Sequence, residues 1–241
     1  MEFERALALV RDGGDRVGGI GILGEKTLHA TLKLWLDDDA THHEIPLPQG
    51  SVADIFDGER VTEIQTANFS GFRKKLEKLL EHYLVTVVHP LVRVKWVSWI
   101  DPATGEVTKP RRSGRRGSVT DAGKELIFIL PLLGHPNLTV KLVLLDVEEQ
   151  RLLDGWGNGG KRGSHRAERL PLALGETVTL CSPADYAALL PPDLPMPFTA
   201  AQFGKAARLQ GRKLQGTLKV LLTLGVLRRE KEGQAYQYYR V

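Results

Sequence analysis

Two acids lie where a β-hairpin would set them side by side. Between residues 51 and 65 the chain reads SVADIFDGERVTEIQ. The alternation predicts two short strands, and Asp57-Gly58 predicts the tight turn that joins them. Side chains alternate along a strand, so Val52, Asp54 and Phe56 share one face, as do Val61, Glu63 and Gln65. Ala53, Ile55 and Ile64 supply most of the opposite, apolar face. Folding about the turn brings Asp54 close to Glu63, with Gln65 one step further on. Adjacent carboxylates repel each other, and a divalent cation relieves that repulsion by taking both as hard oxygen ligands. The competing reading is a solvated hairpin face, which commonly carries acids.

The flanking segments decide what positions this pair. Residues 23–36 read as a helix whose buried stripe is Leu28, Leu32, Trp35 and Leu36. Glu25 falls at its inward-facing start, and His29 and Lys33 follow at four-residue steps along one edge. A carboxylate there is costly unless paired or bound, although the helix dipole also favours an acid in the first turn. His43–Leu47 reads as an edge strand marked by Pro46 and Pro48. A second helix over residues 68–83, capped by Asn68 or Ser70, buries Phe72, Leu76, Leu79, Leu80 and Tyr83. A short apolar strand over 85–88 follows.

An acid-bearing helix, a hairpin with an Asp, an acid-x-residue strand and a helix in this order resemble the PD-(D/E)xK nucleases, the restriction-endonuclease-like superfamily. The resemblance covers residues 20–90 well and the next hundred loosely. It matches Glu25 to the helix acid, Asp54 to the hairpin Asp and Glu63 to the strand acid. Gln65 occupies the family's lysine position, and the Glu-Ile-Gln form is similar to competence-associated CoiA-like nucleases. Gln65 can hydrogen-bond a water but brings no positive charge. Lys33 and Lys74 are the lysines that could stand in, and Lys74 is favoured because the chain runs from the Glu63 strand directly into its helix. The resemblance implies Mg²⁺ or Mn²⁺ held by Asp54, Glu63, the Ile64 carbonyl and Glu25. It also implies phosphodiester hydrolysis, with Gln65 and a lysine orienting the attacking water.

The chain has 241 residues and a net charge of +4, from 33 Lys and Arg against 29 Asp and Glu. The residues from 199 to 241 hold nine Lys and Arg against two Glu, so positive charge is concentrated there. Lysines and arginines in such a run suit a nucleic acid, and the nuclease resemblance makes DNA the expected one. Two further basic clusters read as glycine-containing loops able to surround phosphates. One carries Arg111, Arg112, Arg115 and Arg116, the other Lys161 and Arg162. Each is equally legible as a solubilising surface loop.

Between the clusters lie a strand over 93–100, a helix over 121–133 disturbed at Pro131, and a buried strand over 138–147. Asp146, Glu148 and Glu149 form a rival acidic group at its end. Trp156 in a glycine-rich loop is placed to stack on a base. The lone cysteine, Cys181, allows no internal disulfide and reads as a buried thiol. No apolar run reaches membrane-span length and no secretion signal opens the chain, so the expected compartment is the cytoplasm.

Four prolines within residues 190–197 read as a stiff linker. Beyond it, Thr199 caps a helix from about Ala200, a second helix spans 211–227, and two strands surround Gly233. This resembles a winged helix-turn-helix, with residues 185–190 as its first helix. The resemblance places Arg212, Lys213, Gln215 and Lys219 on the recognition helix and Arg228, Arg229 and Lys231 on the wing. A protein-binding winged helix is the alternative.

The expected fold class is therefore α/β. A restriction-endonuclease-like mixed sheet flanked by helices fills residues 1–185, and a small winged helix fills 186–241. The expected function is a metal-dependent DNA endonuclease or nuclease-like DNA-processing protein. The alternatives are an inactive nuclease-fold DNA-binding regulator and an RNA-processing module. A homodimer is compatible with the family resemblance.

Overall fold

A computed structural model of the chain describes residues 1–13, 27–66, 69–155 and 163–241, with the backbone alone at 16–17 and 20–21. Glu25, Asn68, Trp156, Lys161 and Arg162 lie outside the described residues. The chain is mixed α/β. In order, its elements are α1 (Phe3–Asp12), β1 (Arg16–Val17), β2 (Ile20–Gly21), α2 (Thr27–Leu36), β3 (His43–Pro46), β4 (Val52–Phe56), β5 (Arg60–Ile64) and α3 (Arg73–Leu80). There follow β6 (Leu84–Ile100), β7 (Arg111–Arg116), α4 (Gly123–Leu126), β8 (Leu138–Leu152) and β9 (His165–Leu180). The last are β10 (Phe198–Thr199), α5 (Ala200–Ala207), α6 (Gly211–Thr223), β11 (Leu227–Glu232) and β12 (Ala235–Arg240).

Among the described residues the large sheet has the order β3-β4-β5-β6-β8-β9, with β7 also paired to β6. It is mixed: β4 and β5 are antiparallel, β5 and β6 parallel, and β6 and β7 antiparallel. A separate small sheet has the order β10-β12-β11. No helix among the described residues is long and apolar enough to cross a membrane.

The chain divides into two compact units, and β6, β8 and β9 run through both. The first comprises Met1–His43, Val92–Gly117 and Leu144–Glu176. In it α1 and α2 bury Phe3, Ala6, Leu7, Leu28 and Leu32, with the rings of Phe3 and Trp35 edge to face at 5.7 Å. The second comprises Glu44–Leu91, Ser118–Val143 and Thr177–Val241. Its buried apolar residues include Ala53, Ile55 and Val61 of the hairpin, Leu76, Leu79 and Leu80 of α3, and Val85, Val87 and Val88 of β6.

Helix α6 meets α4 at very short range within the second unit. A Cβ on Gly123 would stand 2.1 Å from Thr217 Oγ1 and 2.8 Å from Thr217 Cα. Only a residue without a side chain permits that approach. Thr217 is fully buried, and its hydroxyl donates to the Lys213 carbonyl at 3.0 Å.

Several elements differ from the sequence reading. The strands expected over 85–88 and 93–100 are one strand, β6. Its edge is shared: residues 84–88 pair with β5 and residues 94–97 with β7. Pro90 sits between those pairings, where no ladder donor is needed. The basic cluster 109–118, expected as a loop, contains the strand β7. The helix expected over 68–83 is regular only from Arg73 to Leu80. That over 121–133 is α4 flanked by 3₁₀ turns, with non-helical backbone at Ile129 just before Pro131. Cys181 is exposed, because β9 ends one residue earlier and Cys181 opens the turn that follows.

Candidate active site at the hairpin

The hairpin forms where its sequence predicts. Gly58 takes φ +98°, a conformation costly for other residues, and the Asp57 carboxylate accepts from the backbone N–H groups of Glu59 and Arg60 at 3.0 and 2.7 Å. The register pairs Phe56 with Val61 and Ile55 with Thr62. One step further along that ladder, Asp54 falls opposite Glu63. The Asp54 carboxylate reaches across and accepts from the Ile64 N–H at 2.6 Å, taking the place of a ladder carbonyl where the pairing ends. Asp54, Glu63 and Ile64 are thus brought together.

Glu63 is 1% exposed. A carboxylate this deep is tolerated only with strong partners. Lys75 Nζ lies 2.7 Å from Glu63 Oε2 and also donates to the Val52 carbonyl at 2.8 Å. One ammonium therefore ties the start of β4 and the end of β5 to α3. Lys74, the lysine chosen from sequence, is exposed, as is its neighbour Arg73, which pairs with Glu77. The helical wheel explains the difference. Lys75 is three residues from Phe72 and four from Leu79, on the flank of the buried stripe, whereas Lys74 lies almost opposite Leu76. That pattern is present in the sequence and singles out Lys75 as the lysine of the pair that reaches Glu63.

His89 is a second residue the sequence reading passed over. The parallel register sets Ile64 beside Val88, and the Gln65 N–H donates to the Val88 carbonyl at 2.9 Å. The next residue, His89, is 5% exposed, and its Nδ1 lies 2.7 Å from the Gln65 carbonyl. A carbonyl can only accept, so Nδ1 carries the proton. Phe69 holds the ring edge to face at 4.9 Å. The backbone of Gln65 is therefore clamped on both its N–H and its C=O sides. The Phe69 N–H in turn donates to the buried Glu125 carboxylate at 3.2 Å.

The donor types at the hairpin suit a hard divalent cation: two carboxylates on facing strand positions, with the Ile64 carbonyl as the further ligand the resemblance implies. The third carboxylate of that set, Glu25, is outside the described residues. Among the described residues no group of three or more His, Cys, Asp or Glu side chains is arranged to hold a metal. Lys33, the other lysine considered, is buried in α2 of the first unit.

The rival acidic group on β8 resolves into separate ion pairs and hydrogen bonds. Asp146 takes a two-pronged bond from Arg93 at 2.7 and 2.9 Å, which holds its carboxyl below the ordinary range. Glu148 accepts from Ser98 at 2.6 Å, and Glu149 from Arg151 at 2.7 Å.

The basic residues read from sequence are exposed wherever they are described. Arg111, Arg112, Arg115 and Arg116 lie on β7, and Arg212, Lys213, Gln215 and Lys219 on α6. Arg228 and Arg229 lie on β11 with their guanidiniums over the rings of Tyr239 and Tyr236, 4.4 and 4.7 Å from the centroids.

Comparison with curated proteins and with solved structures finds no match. Residues 26–181, which include the whole hairpin and α3, match the family described as a domain of unknown function, DUF8091. The chain belongs to that family.

Proposed function

We propose that the chain is a metal-dependent DNA endonuclease, or a nuclease-like DNA-processing protein, built on a restriction-endonuclease-like core with a C-terminal winged helix. The observation that carries this reading is the Glu63–Lys75 contact. A buried strand acid opposite a hairpin Asp has an ammonium 2.7 Å away although the lysine position of the motif holds Gln65. Lys75 thereby returns, from α3, the positive charge that Gln65 lacks. Asp54 and Glu63, with the Ile64 carbonyl and Glu25, would hold Mg²⁺ or Mn²⁺. When bound, such an ion lowers the pKa of a coordinated water and offsets charge on the phosphate. The chain's own part is positional. His89 fixes the Gln65 backbone, Gln65 offers an amide to orient water, and Lys75 holds the Glu63 carboxylate in place. The exposed cations of α6, β11 and β7 would bind the sugar-phosphate backbone.

The direct test is cleavage of duplex DNA, single-stranded DNA and RNA with Mg²⁺ or Mn²⁺, comparing the wild type with Asp54→Ala and Glu63→Ala. Cleavage abolished in both variants is expected, with duplex DNA the preferred substrate. Undiminished cleavage in either one removes the site. A second reading, a DNA-binding regulator that has lost hydrolysis, is favoured by Gln65 itself. Calorimetric titration with Mn²⁺ separates the two: a wild-type binding signal lost in Asp54→Ala supports the enzyme, and no signal in the wild type supports the regulator.

A further inference from the structure

The first compact unit carries a cluster of charges that the hydrolytic reading does not use. Strands β6, β8 and β9 are neighbours in the sheet, and each supplies one cation: Lys95, Arg151 and Arg169. They converge on a single carboxylate, Glu149, whose side chain is 7% exposed. The three contacts are unequal. Arg151 Nη1 lies 2.7 Å from Glu149 Oε1, and its other nitrogens donate to Ser164 Oγ at 3.0 Å and the Ser164 carbonyl at 2.6 Å. Arg151 is thus fully engaged as a structural post. Lys95 Nζ and Arg169 Nη2 stand 3.7 and 3.6 Å from Glu149 Oε2, beyond hydrogen-bonding distance.

Arg169 also buries its Nε–H without an acceptor. Buried donors are nearly always satisfied, and one that is not calls for an explanation. Burial and the neighbouring Arg166 both disfavour the charged guanidinium, and the single carboxylate nearby does not make up the difference. Glu149 stays ionised: burial acts against its charge, but the Arg151 hydrogen bond and the surrounding cations outweigh it. The acids next in sequence to this cluster are bonded elsewhere. Glu148 and Glu168 follow the strand alternation away from Glu149 and Arg169, with Glu148 bonded to Ser98 and Glu168 to the Arg169 N–H.

We propose that Lys95 and Arg169, spaced by Glu149 and braced by Arg151, form a binding site for a phosphate group on this sheet face. Glu149 holds the cations in one place before the ligand arrives. The phosphate then takes the donors that Glu149 does not reach, through the planar fork of Arg169 and the ammonium of Lys95. The phosphate can belong to a nucleic-acid backbone or to a small phosphate ligand. The site does not depend on cleavage at the hairpin, because it is read by binding alone.

The test compares Lys95→Met and Arg169→Met with the wild type and with Lys78→Met, a control on the exposed face of α3. Two probes are used, a fluorescent DNA oligonucleotide and inorganic phosphate, each at fixed ionic strength. Lys95, whose side chain is one-third exposed, tolerates the change, so Lys95→Met carries the test if Arg169→Met does not fold. We expect affinity to fall about tenfold in the site variants, with the salt slope for the oligonucleotide lowered by about one. Loss with both probes, or with the oligonucleotide alone, places a polymer backbone at the site; loss with inorganic phosphate alone places a small phosphate ligand there. Site variants that bind both probes like the wild type, or that weaken no more than Lys78→Met, overturn the proposal.

Discussion

Replacing Lys75 with Met should destabilise the fold through one carboxylate. The substitution keeps the apolar stem of the side chain and removes its ammonium. Glu63, 1% exposed, loses the cation at 2.7 Å, and the Val52 carbonyl loses a donor at 2.8 Å. Removing one partner of a buried ion pair costs about 3–5 kcal/mol. Lys75 is 32% exposed, so water can follow the departed ammonium and screen the charge left behind. That screening trims the expected cost to about 2–3 kcal/mol. Glu63→Gln should cost less, about 1 kcal/mol, because the lysine it leaves behind is the more exposed partner. The double variant should recover part of the sum, giving a coupling of about 1–2 kcal/mol. Urea unfolding followed by circular dichroism reads all four corners of the cycle. Lys74→Met, at an exposed position on the same helix, should fall within about 0.5 kcal/mol of the wild type. If Lys75→Met also stays within that range, or if the double variant is additive, the contact does not hold the site and Lys75 has no claim on the missing lysine's role.

Gly123→Ala should lower the urea midpoint by at least the equivalent of about 2 kcal/mol, since the added Cβ meets the Thr217 backbone at 2.8 Å; an unchanged midpoint would mean α4 and α6 separate freely. Asp146 gives a pH dependence. Its folded carboxyl is held below the ordinary value by the Arg93 hydrogen bonds, so its stabilisation is complete above an unfolded pKa of about 4 and is lost as pH falls through the folded value. Arg93→Met should therefore flatten the acid limb of a stability–pH profile, and a limb of unchanged steepness would count against the assignment. Thr199→Ala removes a capping box in which the hydroxyl accepts from the Gln202 N–H at 3.2 Å, and should cost about 1 kcal/mol in thermal unfolding. Neutralising Arg212 or Lys219 should weaken DNA binding evenly across sequences and lower the salt slope by about one each, whereas a sequence-selective loss would point to base contacts.

What the sequence made legible follows from how local each signal is. The hairpin rests on alternation plus Asp57-Gly58, both contained within fifteen residues, and it forms with the expected turn. Thr199 caps α5 as read, because a capping box is a four-residue pattern. Strands β7 and β9 were illegible for the opposite reason. The sequence of β7, RRSGRR, has no apolar residue, and β9 contains Pro171 and Gly175 without steady alternation. Each is a strand because a neighbouring strand offers it a ladder, and a tertiary template of that kind leaves no mark on propensity. The strands expected over 85–88 and 93–100 run on as one through Pro90 for a related reason. A proline ends a strand only where its missing N–H is needed, and which edge is paired at that point is decided by segments far away in the chain.

The site shows the same division between local and long-range signals. That Asp54 and Glu63 face each other follows from a two-residue period and a turn, so type and spacing suffice. Which lysine serves Glu63 depends on the face that α3 turns inward, and this too was written in the sequence, through Phe72, Leu76 and Leu79. Proximity along the chain pointed to Lys74, but a one-residue step on a helix is a rotation of about 100°, enough to carry an ammonium from solvent to the flank of the core. The clamp on Gln65 was not readable in this way, because it needs the parallel register of β5 on β6 to bring His89 alongside. A buried charge is therefore the more productive starting point for locating such a site. Glu63 must be met by some cation, and asking which side chains the fold can bring to it leads to Lys75 whatever the motif's usual order.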